Sequence, residues 1–364
     1  MIKKRIENSI YTFYDYIFEK TTVRYVVMNK SKNVWMSIFP NEFVEKINSN
    51  YDTVKTNVDD FPDNRDWFAG SLVHLHLGHH MTSMYENSYK FGESTKNLKF
   101  ISQECNEKKD FQVIKTYVES KEGYGVYHEL RHHGTENGFE VSCTFVNKTG
   151  KMVCLEMISS ATLDNMSPFM TDDGSKELVV HRFKGGWSTE GKEICETLAQ
   201  MNMEKSWGGS FENEKWGSIG SKTVGRNYPY VAIEDINNKC TWGMKLKHNS
   251  SWQIEFTRCG TPLSLSCGIA DMQFGAWHKN VNDEEIFETP TAYIAVSKGG
   301  LEEVSNDLIE MNYRDIAMYG EEGMPIIFND WCTHWGDSSY DKIIKIADRM
   351  KESHVKYFVI DDGW

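Results

Sequence analysis

Two stretches, Met324-Pro-Ile-Ile-Phe-Asn-Asp-Trp331 and Val355-Lys-Tyr-Phe-Val-Ile-Asp-Asp-Gly-Trp364, decide how the chain is read. Each is a short, nearly continuous apolar run that ends in carboxylates and a tryptophan. Between them, Ser339 to His354 sets Ile343, Ile344, Ala347 and Met350 on one face of a helix. Apolar strand, amphipathic helix, apolar strand predicts a βαβ unit whose parallel strands are buried on both faces. Just upstream, Gly299 to Ile316 carries Leu301, Val304, Leu308, Met311 and Ile316 at close to a 3.6-residue period, which predicts one linker helix.

From about residue 8 to 298 the pattern is different: short alternating runs separated by turn residues. Tyr124 to His133, the Gly134-Thr-Glu-Asn-Gly138 turn, and Phe139 to Asn147 read as a hairpin. Tyr228–Asp235, Cys240–Lys247 and Trp252–Thr257 read as further strands, with turns such as Ile236 to Lys239 between them. Many short strands with almost no helical periodicity predict a large β-sandwich. The expected fold class is mostly β: a sandwich (supersandwich) over 1–298, a linker helix over 299–322, and a βαβ unit over 323–364.

Composition narrows the function classes. The chain has 364 residues, 40 Lys plus Arg against 53 Asp plus Glu, and a net charge of −13. That balance excludes phosphate-backbone recognition, which needs clustered cations, so no nucleic-acid partner is expected. No run reaches the roughly 18 apolar residues of a membrane span, and no membrane association is expected. The N-terminus lacks the apolar run of a secretory signal, and the eight scattered cysteines form no Cys-x-x-Cys pair. A cytoplasmic protein with reduced, mostly buried thiols is the expectation.

Two histidine motifs invite a metal reading and do not sustain it. His128-Glu-Leu-Arg-His132 matches H-E-x-x-H, which works on a helix because positions four apart share a face. On the predicted strand those histidines are roughly 13 Å apart at about 3.3 Å per residue, too far for one zinc. In His74-Leu-His-Leu-Gly-His-His80, His74 and His76 share a strand face, but no third ligand is visible nearby. A cluster at a sheet edge or pocket rim is expected, and no metal or cofactor. Of Trp187, Trp207, Trp216, Trp242, Trp252 and Trp277, one or two are expected to meet a ligand and the rest to pack.

Asn329, Asp330 and Trp331 end the first strand of the βαβ unit, and Asp361, Asp362 and Trp364 end the second. In a parallel barrel the carboxyl ends of strands face the active site. Carboxylates accept hydrogen bonds from vicinal sugar hydroxyls, and an indole covers the apolar face of a pyranose. Turn punctuation by Asp-Asp-Gly, with Trp331 as simple packing, accounts for the same spacing equally well.

Pro325-Ile-Ile-Phe-Asn-Asp-Trp331, a helix of matching length, and Tyr357-Phe-Val-Ile-Asp-Asp-Gly-Trp364 resemble the first two barrel strands of melibiase-type α-galactosidases, glycoside hydrolase family 36. Thr289-Pro-Thr-Ala-Tyr-Ile-Ala-Val-Ser-Lys-Gly-Gly-Leu301 resembles that family's junction between sandwich and barrel. The resemblance implies a (β/α)8 barrel of which this chain carries the start, ending after strand 2. It implies a retaining exo-hydrolase of terminal α-linked galactose, homo-oligomeric in full-length form. Carried over, Asp361, Asp362 and Trp331 are substrate-binding residues. The family's nucleophile and acid/base lie on later strands, beyond residue 364, so the chain alone is expected to be inactive. Where many members have Trp-Glu-Ala, this sequence has Trp331-Cys-Thr-His-Trp335, which leaves an α-N-acetylgalactosaminide open as the substrate. A non-catalytic carbohydrate-binding or assembly module is the alternative of another class.

Overall fold

The alternating patterns fold into three antiparallel sheets in a computed structural model that describes residues 1–49, 70–82, 88–90, 92–170, 172–204, 211–259, 263–317 and 324–364. The first is a four-stranded meander of Ile2–Glu7, Tyr11–Ile17, Thr21–Met28 and Val34–Pro40. The largest runs, in spatial order, Thr189–Thr197, Leu178–Gly186, Asn227–Asp235, Cys240–Lys247, Thr291–Lys298, Gly138–Asn147, Tyr124–His133, Phe111–Glu119 and Lys99–Glu107. The short strand Ile286–Glu288 pairs beside Gly138–Asn147. The third sheet orders Phe211–Ser218, Trp252–Cys259, Leu263–Ile269, Val153–Leu163 and Lys279–Val281, with Leu75–Leu77 also on Val153–Leu163.

The predicted hairpin is present, with Leu130 opposite Val141 and Arg131 opposite Glu140. Asp235 pairs with Cys240 across the next expected turn. After Lys247, however, the chain changes sheets: Cys240–Lys247 goes on to pair with Thr291–Lys298, and Trp252–Cys259 joins the third sheet. That crossing places consecutive strands in different sheets of the expected sandwich. One apolar core takes Val126, Leu130 and Phe145 from the large sheet, Leu155 and Phe256 from the third, and Tyr25 and Ile38 from the meander. Trp242 belongs to it, and its indole N–H donates to the Ile38 carbonyl at 2.7 Å.

Trp242, Trp252 and Trp216 are buried, Trp277 is half-buried and Trp187 is exposed, while Trp207 lies outside the described residues. The H-E-x-x-H residues sit in the strand Tyr124–His133. There His128 is fully buried, and His132 Nε2 donates to the Glu136 carbonyl oxygen at 2.8 Å. The cysteines depart from expectation. Cys143, Cys240 and Cys267 are buried, but Cys105 and Cys154 are half-buried, and Cys195 and Cys332 are exposed. The exposed pair lies on a sheet-edge strand and on a one-turn helix, where fewer neighbours cover a small side chain.

The chain divides into two compact units, Met1–Met311 and Asn312–Trp364. The helix Leu301–Ala317 begins in the first, where Val304, Leu308 and Met311 pack on Ala232, Tyr293 and Ala295 of the large sheet. Gly243 lets it approach, since a Cβ there would lie 2.9 Å from both Leu308 and Val304. No helix among the described residues is long and apolar enough to cross a membrane.

The second unit holds the parallel strands Ile326–Asn329 and Val355–Val359, with Phe328 opposite Phe358. The helices Trp331–His334 and Tyr340–Met350 connect them. The expected order of strand, helix and strand is therefore present, but burial on both faces is not. Ile326, Ile327 and Tyr357 are each more than half exposed. Two strands and one long helix cover only part of each other's apolar surface.

Candidate functional site

The strand ends of the second unit are wired together by side chains. Asn329 donates from Nδ2 to Asp361 Oδ2 at 2.6 Å, and its Oδ1 accepts the Trp331 backbone N–H at 2.9 Å. Asp361 Oδ1 in turn accepts the Asp362 N–H at 2.7 Å. Both oxygens of Asp361 are thus engaged, and its orientation is fixed. Asp362 is exposed, and its carboxylate accepts no hydrogen bond from a described residue, so it faces solvent free to take one.

Asp330 does structural work beneath this surface. It is fully buried, its Oδ1 accepts the Asp361 N–H at 2.9 Å, and its Oδ2 accepts the Ser338 hydroxyl at 2.7 Å. The Asp361 N–H foremost, and then Ser338, hold its carboxyl below the ordinary carboxylate range. His334 Nδ1 lies 3.5 Å from the same oxygen. The Trp331-Cys-Thr-His-Trp335 segment therefore turns His334 toward Asp330 and leaves Cys332 and Thr333 exposed. The rings of Trp331 and Trp335 meet edge to face, 5.9 Å apart.

Glycine makes the two loops fit. Gly363 has φ of 96°, and a Cβ on it would lie 2.1 Å from the Gly336 carbonyl oxygen. Gly336 itself has φ of 83°. Both backbones are in the left-handed region that an L side chain resists, and they touch where a side chain would stand between them. The Asp-Asp-Gly-Trp364 spacing thus has a local cause: the glycine closes the loop that presents the aspartates.

Residues 286–364 match the family model described as Melibiase. Over that segment the chain is similar to the melibiase family. Two curated relatives of the chain are the α-galactosidase Mel36A of Lactobacillus acidophilus, 29% identical, and α-galactosidase AgaA of Geobacillus stearothermophilus, 31% identical. Each aligns over 144 residues, 37% of this chain and 19% of the relative. Among solved structures, the family 36 α-galactosidase AgaB of G. stearothermophilus superposes with a TM-score of 0.68 at 15% identity. It covers 100% of this chain and 50% of its own. The α-galactosidase of Lactobacillus brevis gives 0.67 at 14% identity over 97% of this chain and 48% of that one. At such identities the likeness shows the fold, and the chain spans about half the length of the solved relatives.

The matched segment brings Trp331 and Asp361 together around Asn329, with Asp362 beside Asp361. Sequence reading named Asn329 only as a strand end; its bridging role depends on the parallel register that sets Asn329 opposite Val359.

The histidine cluster of the larger unit differs from expectation. His74 and His76 are buried inside the fold rather than at a rim. His74 Nδ1 lies 3.1 Å from Ser266 Oγ, and His76 stacks on Tyr89 at 4.0 Å. Burial lowers the His74 pKa to about 3 and that of His76 to about 4. A third ligating group does stand beside the pair that follows: Glu122 Oε2 lies 3.0 Å from His80 Nε2 and 4.0 Å from His79 Nε2. It comes from 42 residues further along the chain, beyond any local spacing.

Proposed function

We propose that this chain is the β-sandwich, residues 1–298, with a linker helix over 299–322 and the first barrel unit over 323–364, of a retaining exo-glycoside hydrolase that releases terminal α-linked galactose. The observation that carries the reading is the Asn329–Asp361–Asp362 arrangement at the carboxyl ends of two parallel strands, inside the segment that matches the melibiase family. Curated relatives are named α-galactosidases, and AgaA of G. stearothermophilus has been solved in complex with stachyose and with raffinose. In this chain Asp362 and Asp361 accept hydrogen bonds from neighbouring sugar hydroxyls, and Trp331 covers an apolar face of the ring. The protein works in the cytoplasm as a homo-oligomer.

A retaining mechanism needs a nucleophile and an acid/base about 5–5.5 Å apart across the sugar. Asp330 is committed to Asp361 and Ser338, and both oxygens of Asp361 are engaged, so these aspartates bind rather than react. The 364-residue chain therefore binds galactose without hydrolysing a nitrophenyl α-galactoside. Calorimetry with galactose tests this: heat of binding abolished by Asp362→Ala supports the subsite. No binding by the unaltered chain, or turnover by it, overturns the reading.

The exposed Cys332 and Thr333 beside Trp331 favour a second substrate, a terminal α-linked N-acetylgalactosamine, whose acetamide needs more room than a hydroxyl. Tighter binding of N-acetylgalactosamine than of galactose in the same calorimeter decides for it.

A further inference from the structure

On the face of the large sheet that the helix Leu301–Ala317 partly covers, four side chains with ligand chemistry converge. His181 lies opposite Cys195 on one neighbouring strand and opposite Ala232 on the other. Side chains of directly paired residues share a face, and so do those two apart on one strand. Glu193, two before Cys195, and Glu234, two beyond Ala232, therefore stand on the same side as His181. The contacts bear this out: His181 Nδ1 is 2.7 Å from Glu193 Oε1, and Nε2 is 3.1 Å from Glu234 Oε2. The ligating atoms of His181, Glu193 and Cys195 all lie within 4.8 Å of one another.

We propose that His181 Nδ1, Glu193 and Cys195 form a binding site for a divalent ion of the zinc class, with Glu234 holding the far side of the His181 ring. Imidazole, carboxylate and thiolate together suit zinc, which takes nitrogen at about 2.0–2.1 Å and sulfur at about 2.3 Å. A metal takes the lone pair on Nδ1, so the ring must carry its proton on Nε2. Glu234 accepts a hydrogen bond there, the carboxylate–histidine–metal arrangement that fixes tautomer and ring orientation. The histidine is buried while Glu193 and Cys195 are exposed, which gives a rigid inner ligand, an open path from solvent and room for water at a fourth position.

Electrostatics favours a cation at this point. Glu193, Glu234 and Glu196 stand near Cys195 and put negative charge around the site. The site also reaches the linker helix. A Cβ on Gly300 would lie 3.3 Å from Glu234 Oε1, and Tyr230 Oη is 2.8 Å from Ser305 Oγ on the helix. An ion here pins the edge strand Thr189–Thr197 and the start of the helix to the same patch of sheet.

Cobalt(II), a zinc substitute with visible and near-ultraviolet bands, tests the site in the full 364-residue chain. A saturable thiolate-to-cobalt charge-transfer band is expected, displaced by zinc and retained in Cys332→Ser. Cys195→Ser, at an exposed position, abolishes the band with the circular dichroism unchanged. Glu193→Gln serves as a second ligand variant and weakens binding. Glu234→Gln keeps the band and lowers affinity by about 10–100-fold, the usual range for an outer-sphere partner. Absence of a charge-transfer band, or a band undiminished in Cys195→Ser, overturns the proposal.

Discussion

Asn329 Nδ2 donates to Asp361 Oδ2 at 2.6 Å, joining the ends of two parallel strands through side chains as well as through the backbone ladder. Asn329→Ala removes one of the two hydrogen bonds that orient the Asp361 carboxylate while removing no apolar packing, because Asn329 is exposed. Galactose affinity is expected to fall about tenfold, or about 1.4 kcal/mol, by calorimetry. An unchanged affinity would show that Asp361 needs no positioning partner.

Gly363 sits where a Cβ would meet the Gly336 carbonyl oxygen at 2.1 Å. Gly363→Ala adds both that clash and the strain of a left-handed backbone, about 1–3 kcal/mol for the backbone alone. The loss is local: sugar binding disappears, while the far-ultraviolet circular dichroism of the sandwich is retained. Wild-type binding by Gly363→Ala contradicts the close-approach argument.

Arg24 and Asp15 form a fully buried bidentate pair, with Nε–Oδ1 and Nη2–Oδ2 both at 2.7 Å. Phe13 and Phe39 flank the guanidinium at 4.9 and 5.5 Å. Asp15→Ala leaves a buried cation without its anion and is expected to destabilise the sandwich by about 3–5 kcal/mol in denaturant unfolding. Replacing both partners with apolar residues of similar volume is expected to recover most of that loss.

His74 and His128 are fully buried, and burial holds both near a pKa of about 3. Among the described residues, neither His128 nitrogen has a hydrogen-bond partner from another residue. Their folded values lie below the unfolded value of about 6.5, so between those limits the unfolded chain binds more protons. Stability is then full above about pH 6.5 and declines as pH falls toward 3, by up to about 1.4 kcal/mol per pH unit for each such group. His128→Leu is expected to flatten the slope by one group's share in urea titrations across pH 4–7; an unchanged slope excludes His128 as a contributor.

Much of the fold was legible in the chain because its signals are local. Tyr124 to His133 alternates with period two and becomes a strand; Leu301, Val304, Leu308 and Met311 repeat with the helical period and become the packed face of a helix. The strand status of His128 and His132 followed from the same periodicity, which is why H-E-x-x-H misleads here. The crossing between Lys247 and Trp252 was not legible, since a turn between strands of one sheet and a turn between sheets use the same residues.

The candidate sugar site divides in the same way. Asp361, Asp362 and Trp331 could be named only through the family resemblance of their motifs, since their place at strand ends reads equally well as turn punctuation. Which aspartate is free was decided by register, because the parallel pairing aims Asn329 at Asp361 and leaves Asp362 to solvent. Glu122 beside His79 and His80, and Glu234 behind His181, lie 42 and 53 residues from their partners. Side-chain period and turn chemistry act over a few residues and were fixed by the sequence as written. Convergence of groups that far apart depends on which strands become neighbours, and only the packing of the sheets decides that.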